Sequence, residues 1–586
     1  MKKRKVLIFI AVIFILFFGI FRATKLGTSN KKVYFETASH AEAVSLIVPH
    51  HLVAEELIDE AFALTAQKNK AVKIDRAILI SPNHFNLGHG WVNLSDENWE
   101  TKNGKIEVDV LGLEKIKNIE GLNVENEAFQ KEHGVENIMP FIARYFPETK
   151  VIPLMVKDGF PLEKSEKLAD DLAKNFPQNT LIILSSDFSH ELEKNMAKFH
   201  NQKTIEVIRN KEYKKIGNLD TDCAPGLVIS TKYAQNLGYE NFELFGDSNS
   251  SEIYGKNFIG ETTSYITGIF SEGKQINQIK AVQLMFFGDW MLDRNNRMLS
   301  EKNSAPWLSE KLRRIFWSQD ENILNLEGTI TDKPSVSVGT NETQKGHFLF
   351  TFSPEKTKTF LAENKIGLVS LGNNHSLNFG PDGLVETKNN LKNFGVEYFG
   401  DPTNENNFLI KDINGQKIGF VNYNQFFGPD EEKTVENIKE TKKRSEFVVV
   451  YTHWGTEYQL SENEKQKKLA HQFIDSGADL IIGSHPHVVE PIEIYQNKAI
   501  FYSLGNFIFD QYFSEDVKTR LAVAVSISKE KTEFVLEPLY TQKNGQVILA
   551  EEIKRNELLD RIAENSTVSS EIKEGLKSGH FQIKNN

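Results

Sequence analysis

Short, continuous apolar runs recur along residues 42–270 and alternate with longer stretches whose apolar residues are spaced as on one face of a helix. The runs are SLIV (45–48), AILI (77–80), VIPLMV (151–156) and LIIL (181–184). Apolar runs of this length are typical of strands that are covered on both faces. The stretches 52–67 and 135–146 have the helical spacing. The pattern therefore predicts an α/β domain over residues 42–270.

A second series of the same kind begins at VQLMFFGD (282–289) and continues to residue 545. Between the two series, residues 271–280 are polar and without a period, which predicts a linker. Residues 281–545 are therefore expected to form a second α/β domain. The last residues, 546–586, are charged and favour helix, so they predict a charged helical tail.

The first residues carry a different pattern. A basic start, MKKRK, precedes the uncharged and mostly apolar run 6–21, which Arg22 closes. This run is longer than most signal-peptide cores and slightly short for a spanning helix. We expect residues 1–30 to form a cytoplasmic basic start and an uncleaved transmembrane signal anchor, with a cleaved signal peptide as the alternative. The membrane then becomes a partner of the chain, which is expected to be a single-pass cell-membrane protein with both domains extracytoplasmic.

Composition excludes some classes of partner. The chain has 586 residues, of which 40% are hydrophobic and 25% are charged, as in a folded protein. Its net charge of −11 argues against nucleic acid as a partner. An anionic substrate would need local positive charge, which a bound metal ion supplies. The single cysteine, Cys223, rules out an intramolecular disulfide bond.

Residues suited to binding a metal ion follow successive apolar runs of the second domain. They are Asp289, Glu327, Asn373, Asn374, His375, His453, His485, His487 and Asn506. Ligands of α/β sheets gather beyond the carboxyl ends of the strands, so these side chains are expected to meet at one edge. Taken alone, each residue has another interpretation as a helix cap or a hydrogen-bonded core residue. Their recurrence at one strand after another favours a metal site.

The stretch GSHPHV (483–488) is the sharpest of these signals. Pro486 has a fixed φ angle and stiffens the turn. His485 and His487 stand two positions apart, so their imidazoles point to the same side of an extended backbone. Ligands held in this way lose little freedom when they bind. We therefore predict a stiff, exposed turn that presents both histidines to a metal ion.

The ordered set GD, NLEG, NNH, HWG, SHPHV and SLGNF, over residues 280–545, resembles the CapA/PgsA family of poly-γ-glutamate capsule proteins. The resemblance implies a four-layer α/β/β/α fold like that of metallophosphoesterases, with one or two divalent ions (Mn, Fe or Zn). The ligands that it implies are Asp289, Glu327, Asn374, His453, His485 and His487. It also implies that His375 is a catalytic acid or charge stabiliser. Two positions depart from the pattern, since Met291 replaces a histidine of metallophosphoesterases and Asn378 replaces an aspartate common in the family.

Five motifs of the first domain resemble the Memo family, whose bacterial members are named AmmeMemoRadiSam system protein B. They are VPHH (48–51), SPNHF (81–85), KEHGVEN (131–137), SSDFSH (185–190) and DTDCAPG (220–226). The resemblance implies a fold like that of class III extradiol dioxygenases, with one Fe, Cu or Zn ion. It implies that the metal ligands are His50, His84 and Cys223, that Asp187 and His190 are catalytic, and that Glu132 and His133 line the site. The other interpretation of Cys223 is a small buried apolar residue. The chain departs from the family at His51-Leu52, where Gly-Tyr is common, and at Gly134, where serine is usual.

Three functions follow from these patterns, and the residues do not choose among them. In the first, the second domain is a metal-dependent hydrolase of a cell-surface polymer or of phosphoester linkages. In the second, the same metal edge binds or exports an anionic capsule polymer without catalysis. In the third, the first domain is a metal-dependent redox enzyme. An open coordination position favours hydrolysis, whereas a fully protein-ligated ion favours binding.

Overall fold

The computed structural model describes residues 41–255, 262–275, 280–405 and 407–585. Within these residues the chain forms two α/β domains, which confirms the mixed α/β class and the two-domain organisation. The predicted linker, 271–280, begins at the end of the strand Ser264–Ser271. Residues 276–279 of this linker lie outside the described residues.

The first domain is built on an eight-stranded sheet. In spatial order its strands are Leu122–Val124, Val92–Leu94, Lys150–Val156, Arg76–Pro82, Thr180–Ser185, Ala43–Val48, Ser264–Ser271 and Asn241–Asn249. The four predicted runs are confirmed as the central strands, which pair in parallel and are buried almost throughout. A separate hairpin joins Trp99–Thr101 to Gly104–Ile106.

Helices cover both faces of this sheet. They are Glu55–Lys68, Val110–Ile116, His133–Glu136, Met139–Tyr145, Leu162–Asn175, Lys194–Asn210, Tyr213–Ile216, Ala224–Asn236 and Ser250–Tyr254, with 3-10 turns at Leu52–Ala54 and Asn126–Phe129. The predicted helix over 135–146 is divided into two, because Pro140 lies in the first turn of the second helix and its ring does not fit a helix interior. The first of the two pieces begins at His133, within the KEHGVEN motif.

The second domain contains two stacked sheets. The larger has the order Glu397–Phe399, Ile366–Ser370, Glu321–Leu326, Val282–Trp290, Thr519–Ile527, Lys531–Thr541 and Val547–Leu549, with Asn506–Ile508 paired to Val282–Trp290 and His580–Lys584 paired to Lys531–Thr541. The smaller has the order Phe408–Ile413, Gln416–Asn424, Phe447–His453, Leu480–Ser484, Lys498–Phe501 and Ile492–Tyr495. A short ladder joins Thr329–Ile330 to Thr351–Phe352.

The two sheets pack face to face, and helices cover their outer faces. Leu284 and Phe286 of the larger sheet share an apolar cluster with Phe420 and Val449 of the smaller sheet. Met285, on the opposite face of its strand, packs under the outer helices. The helical segments are Arg294–Lys302, Pro306–Phe316 (a 3-10 helix), Pro354–Glu363, Gly380–Phe394, Glu431–Arg444, Glu464–Asp475, Glu515–Lys518, Glu552–Asn565 and Ser570–Ser578. The last residues therefore add two helices and an edge strand to this domain.

The membrane assignment is corrected. Within residues 41–255, 262–275, 280–405 and 407–585, no helix is long and apolar enough to cross a bilayer. The longest of them, Lys194–Asn210, has 17 residues and carries charged side chains along its length, whereas a spanning helix needs about 20 mostly apolar residues. The predicted anchor, 6–21, lies outside the described residues. The single-pass membrane protein with extracytoplasmic domains is therefore not supported.

The two domains share part of one apolar core. Leu192, Met196, Ala197 and Phe199 belong to the first domain by sequence, yet they pack in the cluster that contains Met285 of the second domain. These residues lie in or just before the helix Lys194–Asn210. The domains are therefore joined by buried apolar surface and by the chain itself, and the experiments below use the full chain.

Candidate metal centres

Glycines bring the strand ends of the second domain into close contact. Asp289 lies opposite Asn506, where two parallel strands pair. A Cβ atom on Gly288 would lie 1.8 Å from the carbonyl oxygen of Gly505, and one on Gly483 would meet a carbonyl oxygen at the same distance. Only glycine permits such an approach, which explains the glycines of the GD and GSHPHV motifs.

Asp289, Glu327 and His453 form the middle of the second-domain centre. All three are fully buried, and one ligand atom of each lies within 4.8 Å of the other two. Asn325 stands among them and donates its amide N–H groups to Asp289 Oδ1 (2.8 Å) and Glu327 Oε2 (3.3 Å). Asn374 Oδ1 lies 2.9 Å from His453 Nε2. Carboxylate, imidazole and amide oxygen together make a donor set that suits a divalent Mn, Fe or Zn ion.

His487 closes the centre from the segment 483–488, which we name the metal loop. Its Nδ1 lies 3.3 Å from Asp289 Oδ2 and 2.8 Å from Asn506 Oδ1. Its Nε2 lies 3.9 Å from Glu327 Oε1. The backbone N–H of His485 donates to Asp289 Oδ2 at 3.1 Å. The first aspartate of the domain thus organises the whole loop.

The metal loop is buried, so the predicted exposure is wrong. His485 and His487 are 4% and 3% exposed, respectively. Their φ angles are 97° and 61°, in the region that residues other than glycine rarely adopt. The two rings lie 6.1 Å apart between centroids, and the ring of His485 packs against that of His453 at 4.8 Å. The rings do lie together, but the backbone that presents them is strained and enclosed.

His375 lies beside Glu327, with Nε2 3.8 Å from Glu327 Oε1. Its Nδ1 faces two acceptors, the carbonyl oxygen of Phe348 at 3.1 Å and Oδ1 of Asn378 at 3.0 Å, and Asn378 Oδ1 also accepts the N–H of Phe350. Because both neighbours of Nδ1 are acceptors, Nδ1 carries the ring proton and Nε2 directs a lone pair to the centre. Asn378, which departs from the common aspartate, therefore still makes an orienting contact.

Burial controls the charges of this centre. Burial and the nearby Asp289 raise the pKa of Glu327 well above its usual range. Burial alone would also raise the pKa of Asp289, but its hydrogen bond to His487 helps to hold that pKa well below its usual range. Burial lowers the pKa of His485 to about 3 and that of His375 to about 4. Both imidazoles are therefore neutral at pH 7, which is the state that His485 needs as a ligand.

Two unpaired atoms test whether the centre fits a cation. In the part of the chain that the structure describes, Glu327 Oε1 and His485 Nδ1 are buried and have no hydrogen-bond partner. A buried polar atom without a partner costs about 1–3 kcal/mol. Both atoms are of the kinds that coordinate divalent metals, and a cation would also offset the repulsion between Glu327 and Asp289. The residues present therefore fit a divalent ion.

Asn325 is the residue of this centre that sequence reasoning missed. It stands two positions before Glu327 in the strand Glu321–Leu326 and its short extension, so both side chains lie on one face. This alternation along the strand could have identified Asn325 from the sequence. The amide of Asn373, in contrast, is occupied by hydrogen bonds, since its nitrogen donates to Asn325 Oδ1 at 3.0 Å and to a backbone carbonyl, and its oxygen accepts the N–H of His375. It supports the centre from one layer further out.

Three histidines meet in the first domain. His50, His84 and His133 each place a ring nitrogen within 4.8 Å of the other two. The rings of His84 and His133 stack at 4.1 Å, and His50 lies edge-on to both at 5.0 Å. Glu132 Oε1 is 2.7 Å from His84 Nδ1, which leaves Nε2 of that ring facing the group. His133, which the resemblance placed only as a lining residue, is therefore as close as the two predicted ligands.

A second group of ligand atoms shares His50. Its Nε2 lies 3.5 Å from Asp187 Oδ2 and 3.4 Å from Asp222 Oδ2. Asp222 Oδ2 also lies 3.7 Å from His84 Nε2, so it faces both imidazoles. Sequence reasoning missed Asp222, although it stands inside the DTDCAPG motif. The signal was a carboxylate directly before Cys223.

Cys223 and His190 lie at the margin of these groups. Cys223 belongs to the apolar core of the domain, and its sulfur is not one of the grouped ligand atoms of the described chain. Burial raises the pKa of its thiol well above the usual range, which opposes the thiolate that a metal requires. His190 interacts electrostatically with Asp187, and its buried Nδ1 has no hydrogen-bond partner in the described residues. The geometry thus favours Asp222 over Cys223, and the cysteine ligand stays a prediction from the resemblance.

The carboxylates of the first centre set its charge. Burial alone would lower the pKa of His84, but the nearby carboxylates of Asp222 and Glu132 outweigh it and raise that pKa to about 10. Burial, followed by the charge of Asp222, raises the pKa of Asp187 to about 7. Burial lowers the pKa of His50. A metal ion must therefore displace a proton from His84, so its binding is expected to release that proton.

Known proteins resemble the two parts of the chain separately. Residues 283–511 match the family model of the bacterial capsule synthesis protein PGA_cap, and residues 24–257 match that of the Memo-like protein. Over 245 residues the chain is 30% identical to the PGA biosynthesis protein CapA of Bacillus subtilis (strain 168). The aligned part covers 39% of this chain and 63% of that protein. Over 178 residues it is 33% identical to the capsule biosynthesis protein CapA of Bacillus anthracis. The aligned part covers 27% of this chain and 43% of that protein.

The first part has its own relatives. Over 202 residues the chain is 27% identical to a MEMO1 family protein of Nitrosopumilus maritimus (strain SCM1), covering 32% of this chain and 70% of that protein. Both predicted resemblances are therefore confirmed: a Memo-like domain is fused to a capsule-synthesis-like domain. The chain spans less than two thirds of the length of the two capsule proteins that it matches.

Proposed function

We propose that the second domain is a metal-dependent hydrolase that serves the synthesis or processing of a capsule polymer of the poly-γ-glutamate type. The observation that carries the proposal is the buried group of Asp289, Glu327 and His453 with a neutral His375 beside it. The names of the capsule-protein relatives support the polymer. The substrate is expected to be that anionic polymer or a phosphoester used in making it.

The residues that would hold the ion are the buried group, together with Asn374 and the two histidines of the metal loop. A divalent ion bound there supplies Lewis acidity and lowers the pKa of water towards neutrality. Asn325 holds two carboxylates through one amide group and so fixes their separation. Both histidines of the metal loop are buried, and low exposure to solvent strengthens the electrostatic contacts of the centre.

His375 would move the proton of the reaction. Its Nδ1–H is held by Asn378 Oδ1, so Nε2 is free to accept a proton from the attacking water and to return it to the leaving group. Its low pKa makes it neutral before the reaction. The proposal therefore assigns it proton transfer at Nε2 and not a fixed positive charge.

The test is hydrolysis by the purified full chain with added Mn²⁺, Fe²⁺ or Zn²⁺, using aryl phosphodiester and γ-glutamyl substrates. His375→Ala should keep its metal and lose roughly a hundredfold or more in kcat. His471→Ala is the matched control, because His471 pairs with Glu493 outside the centre. A chain that binds metal and capsule polymer but hydrolyses neither substrate would favour the non-catalytic binding function.

A metal centre in the first domain carries a second candidate function, redox chemistry. Its support is the group of three imidazoles, because imidazole suits iron and copper as well as zinc. Asp222→Asn and Cys223→Ser separate the two ligand assignments when the metal content of the first centre is measured. Loss of metal in Cys223→Ser alone would support the thiolate ligand, and loss in Asp222→Asn alone would support the carboxylate. A centre that holds only Zn²⁺ would exclude the redox function.

A further inference from the structure

The short segment 218–222 connects the two domains to one candidate centre. It lies between the helices Tyr213–Ile216 and Ala224–Asn236, and its last residue is Asp222. We propose that the second domain positions Asp222 through this segment, so that the first metal centre is complete only in the fused chain. The inference rests on the proposed metal centre of the first domain and adds the residues that set its geometry from outside.

Backbone hydrogen bonds join the segment to the second domain. The N–H of Ser318 donates to the carbonyl oxygen of Asn218 at 2.7 Å. In return, Ser318 Oγ accepts the N–H of Asp220 at 3.0 Å. Ser318 is fully buried and has a φ of 60°, so its backbone is held in a conformation that non-glycine residues rarely adopt. One residue of the second domain thus holds two positions of the segment.

A charged contact fixes the segment from a second direction. Asp220 is buried, and its Oδ1 accepts a hydrogen bond from Arg314 Nη1 at 2.6 Å. Its Oδ2 lies 3.3 Å from Nδ1 of His200, on the first domain's own helix. Removal of the arginine would leave a buried carboxylate with one partner fewer, which is costly. Arg314 therefore ties the segment to the 3-10 helix Pro306–Phe316.

The second domain also contacts the start of the segment. Lys365 Nζ donates to Asn218 Oδ1 at 2.9 Å. The same ammonium group lies 4.0 Å from the ring centroid of Trp317, the residue before Ser318. Lys365 therefore contacts both Asn218 of the segment and Trp317, the neighbour of Ser318.

Asp222 links the segment to the ligand group of the first domain. Its backbone N–H donates to the carbonyl oxygen of Asp187 at 3.2 Å, and its Oδ2 accepts the N–H of Asp187 at 3.1 Å. The same Oδ2 faces His50 and His84 at 3.4 and 3.7 Å. Ser186 Oγ also donates to Asp222 Oδ1 at 2.8 Å. Since only one residue separates Asp222 from Asp220, we expect a shift of the segment to move the carboxylate relative to both imidazoles.

Other interdomain contacts lack this connection. Asn195 Nδ2 donates to the carbonyl oxygen of Ser578 at 2.8 Å, and Lys203 pairs with Asp320 at 2.8 Å. Both residues lie on the helix Lys194–Asn210, whose His200 contacts Asp220. Asn195 lies in the first turn of that helix, and its side chain bonds to Ser578 instead of to the segment, so it provides the control.

The experiment uses the full chain in a Glu327→Gln background, which silences the second centre. Co²⁺ is titrated into the protein and followed by its visible absorbance. Ser318→Gly removes the hydroxyl and suits the φ of 60°, and Arg314→Gln removes the charge. We expect each variant to bind Co²⁺ about five- to tenfold more weakly, as for the loss of a hydrogen bond that orients a ligand. Arg314→Lys should recover part of the loss, and Asn195→Ala should bind like the parent.

A second measurement does not depend on the metal. Hydrogen exchange of the peptide covering 216–224 should be faster in metal-free Ser318→Gly than in the parent. By linkage, Co²⁺ must in turn slow exchange at this contact in the parent. Faster exchange with unchanged Co²⁺ affinity in both variants would overturn the inference while leaving the metal centre intact. Failure of the parent to bind Co²⁺, with Asp222→Asn behaving identically, would overturn the centre itself and the inference with it.

Discussion

Glu327→Gln should stabilise the metal-free chain and destabilise the metal-loaded chain relative to wild type. Glu327 and Asp289 are fully buried, and their ligand atoms lie within 4.8 Å. Two like charges at about 4 Å repel by roughly 4 kcal/mol at an effective dielectric constant of about 20. The glutamine removes that repulsion, and its amide can still donate to Asp289. We expect a gain of about 1–3 kcal/mol without metal, because some repulsion is already relieved by protonation of Glu327.

Metal reverses the order of the two proteins. An ion at a thousand times its Kd stabilises the native state by about 4.1 kcal/mol, which exceeds the gain of about 1–3 kcal/mol expected for the metal-free variant. One kcal/mol corresponds to roughly 2–4 °C in Tm for a domain of about 150–250 residues. Wild type should therefore gain several degrees from Mn²⁺ or Zn²⁺, whereas the glutamine variant should gain little at this centre.

Calorimetric melting of the full chain, with EDTA or with metal, measures both effects. Glu301→Gln, at an exposed position of the helix Arg294–Lys302, is the control and should follow wild type. The raised pKa of Glu327 fixes the sign of the pH dependence. The metal-free native state keeps a proton that the unfolded state releases, so wild-type stability falls as pH rises above the ordinary carboxyl range. A lower Tm of the variant in EDTA, or a full metal increment in the variant, would refute this account.

The remaining predictions concern the metal loop and the interdomain surface. His487→Asn and His487→Ala should both lose metal. Asparagine tolerates the φ of 61° better than alanine, so the Tm of His487→Asn should stay closer to that of wild type. A metal content equal to that of wild type, measured by elemental analysis, would remove His487 from the ligands. Pro486→Gly should keep the ligands and weaken metal binding less than either. Burial and Glu193 raise the pKa of Glu537 to about 8, so wild-type stability should fall between about pH 4.5 and 8. Glu537→Gln should then be more stable at pH 9 by about 4–5 kcal/mol, and parallel Tm curves for the two proteins would contradict the assignment.

The apolar runs predict the strands well because burial on both faces leaves a simple signal. The runs at 77–80 and 181–184 are central strands that extend one or two residues further at each end. The edge rule for parallel sheets also placed Asp289 and His453 together, since it depends on strand direction alone. Exposure of the metal loop was predicted wrongly, because the sequence of a turn does not state what packs over it.

The choice between Asp222 and Cys223 illustrates a different limit of sequence patterns. Both residues stand in the DTDCAPG motif, and neighbouring side chains on an irregular segment can point in opposite directions. The helix Ala224–Asn236 begins directly after Cys223 and turns its sulfur into the core. Asp222 is left facing the imidazoles. A motif lists neighbouring residues, but the local backbone decides in which direction each side chain points.

The apolar core that the two domains share could not be predicted from the sequence either. An apolar stripe on a helix predicts that one face is buried, but it does not name the surface that buries it. Leu192, Met196 and Phe199 are indistinguishable by pattern from residues that cover their own sheet, yet they pack against the second domain. The two domains have separate sheets. Their packing is continuous, and we propose that the contacts of segment 218–222 bring the geometry of one domain into the centre of the other.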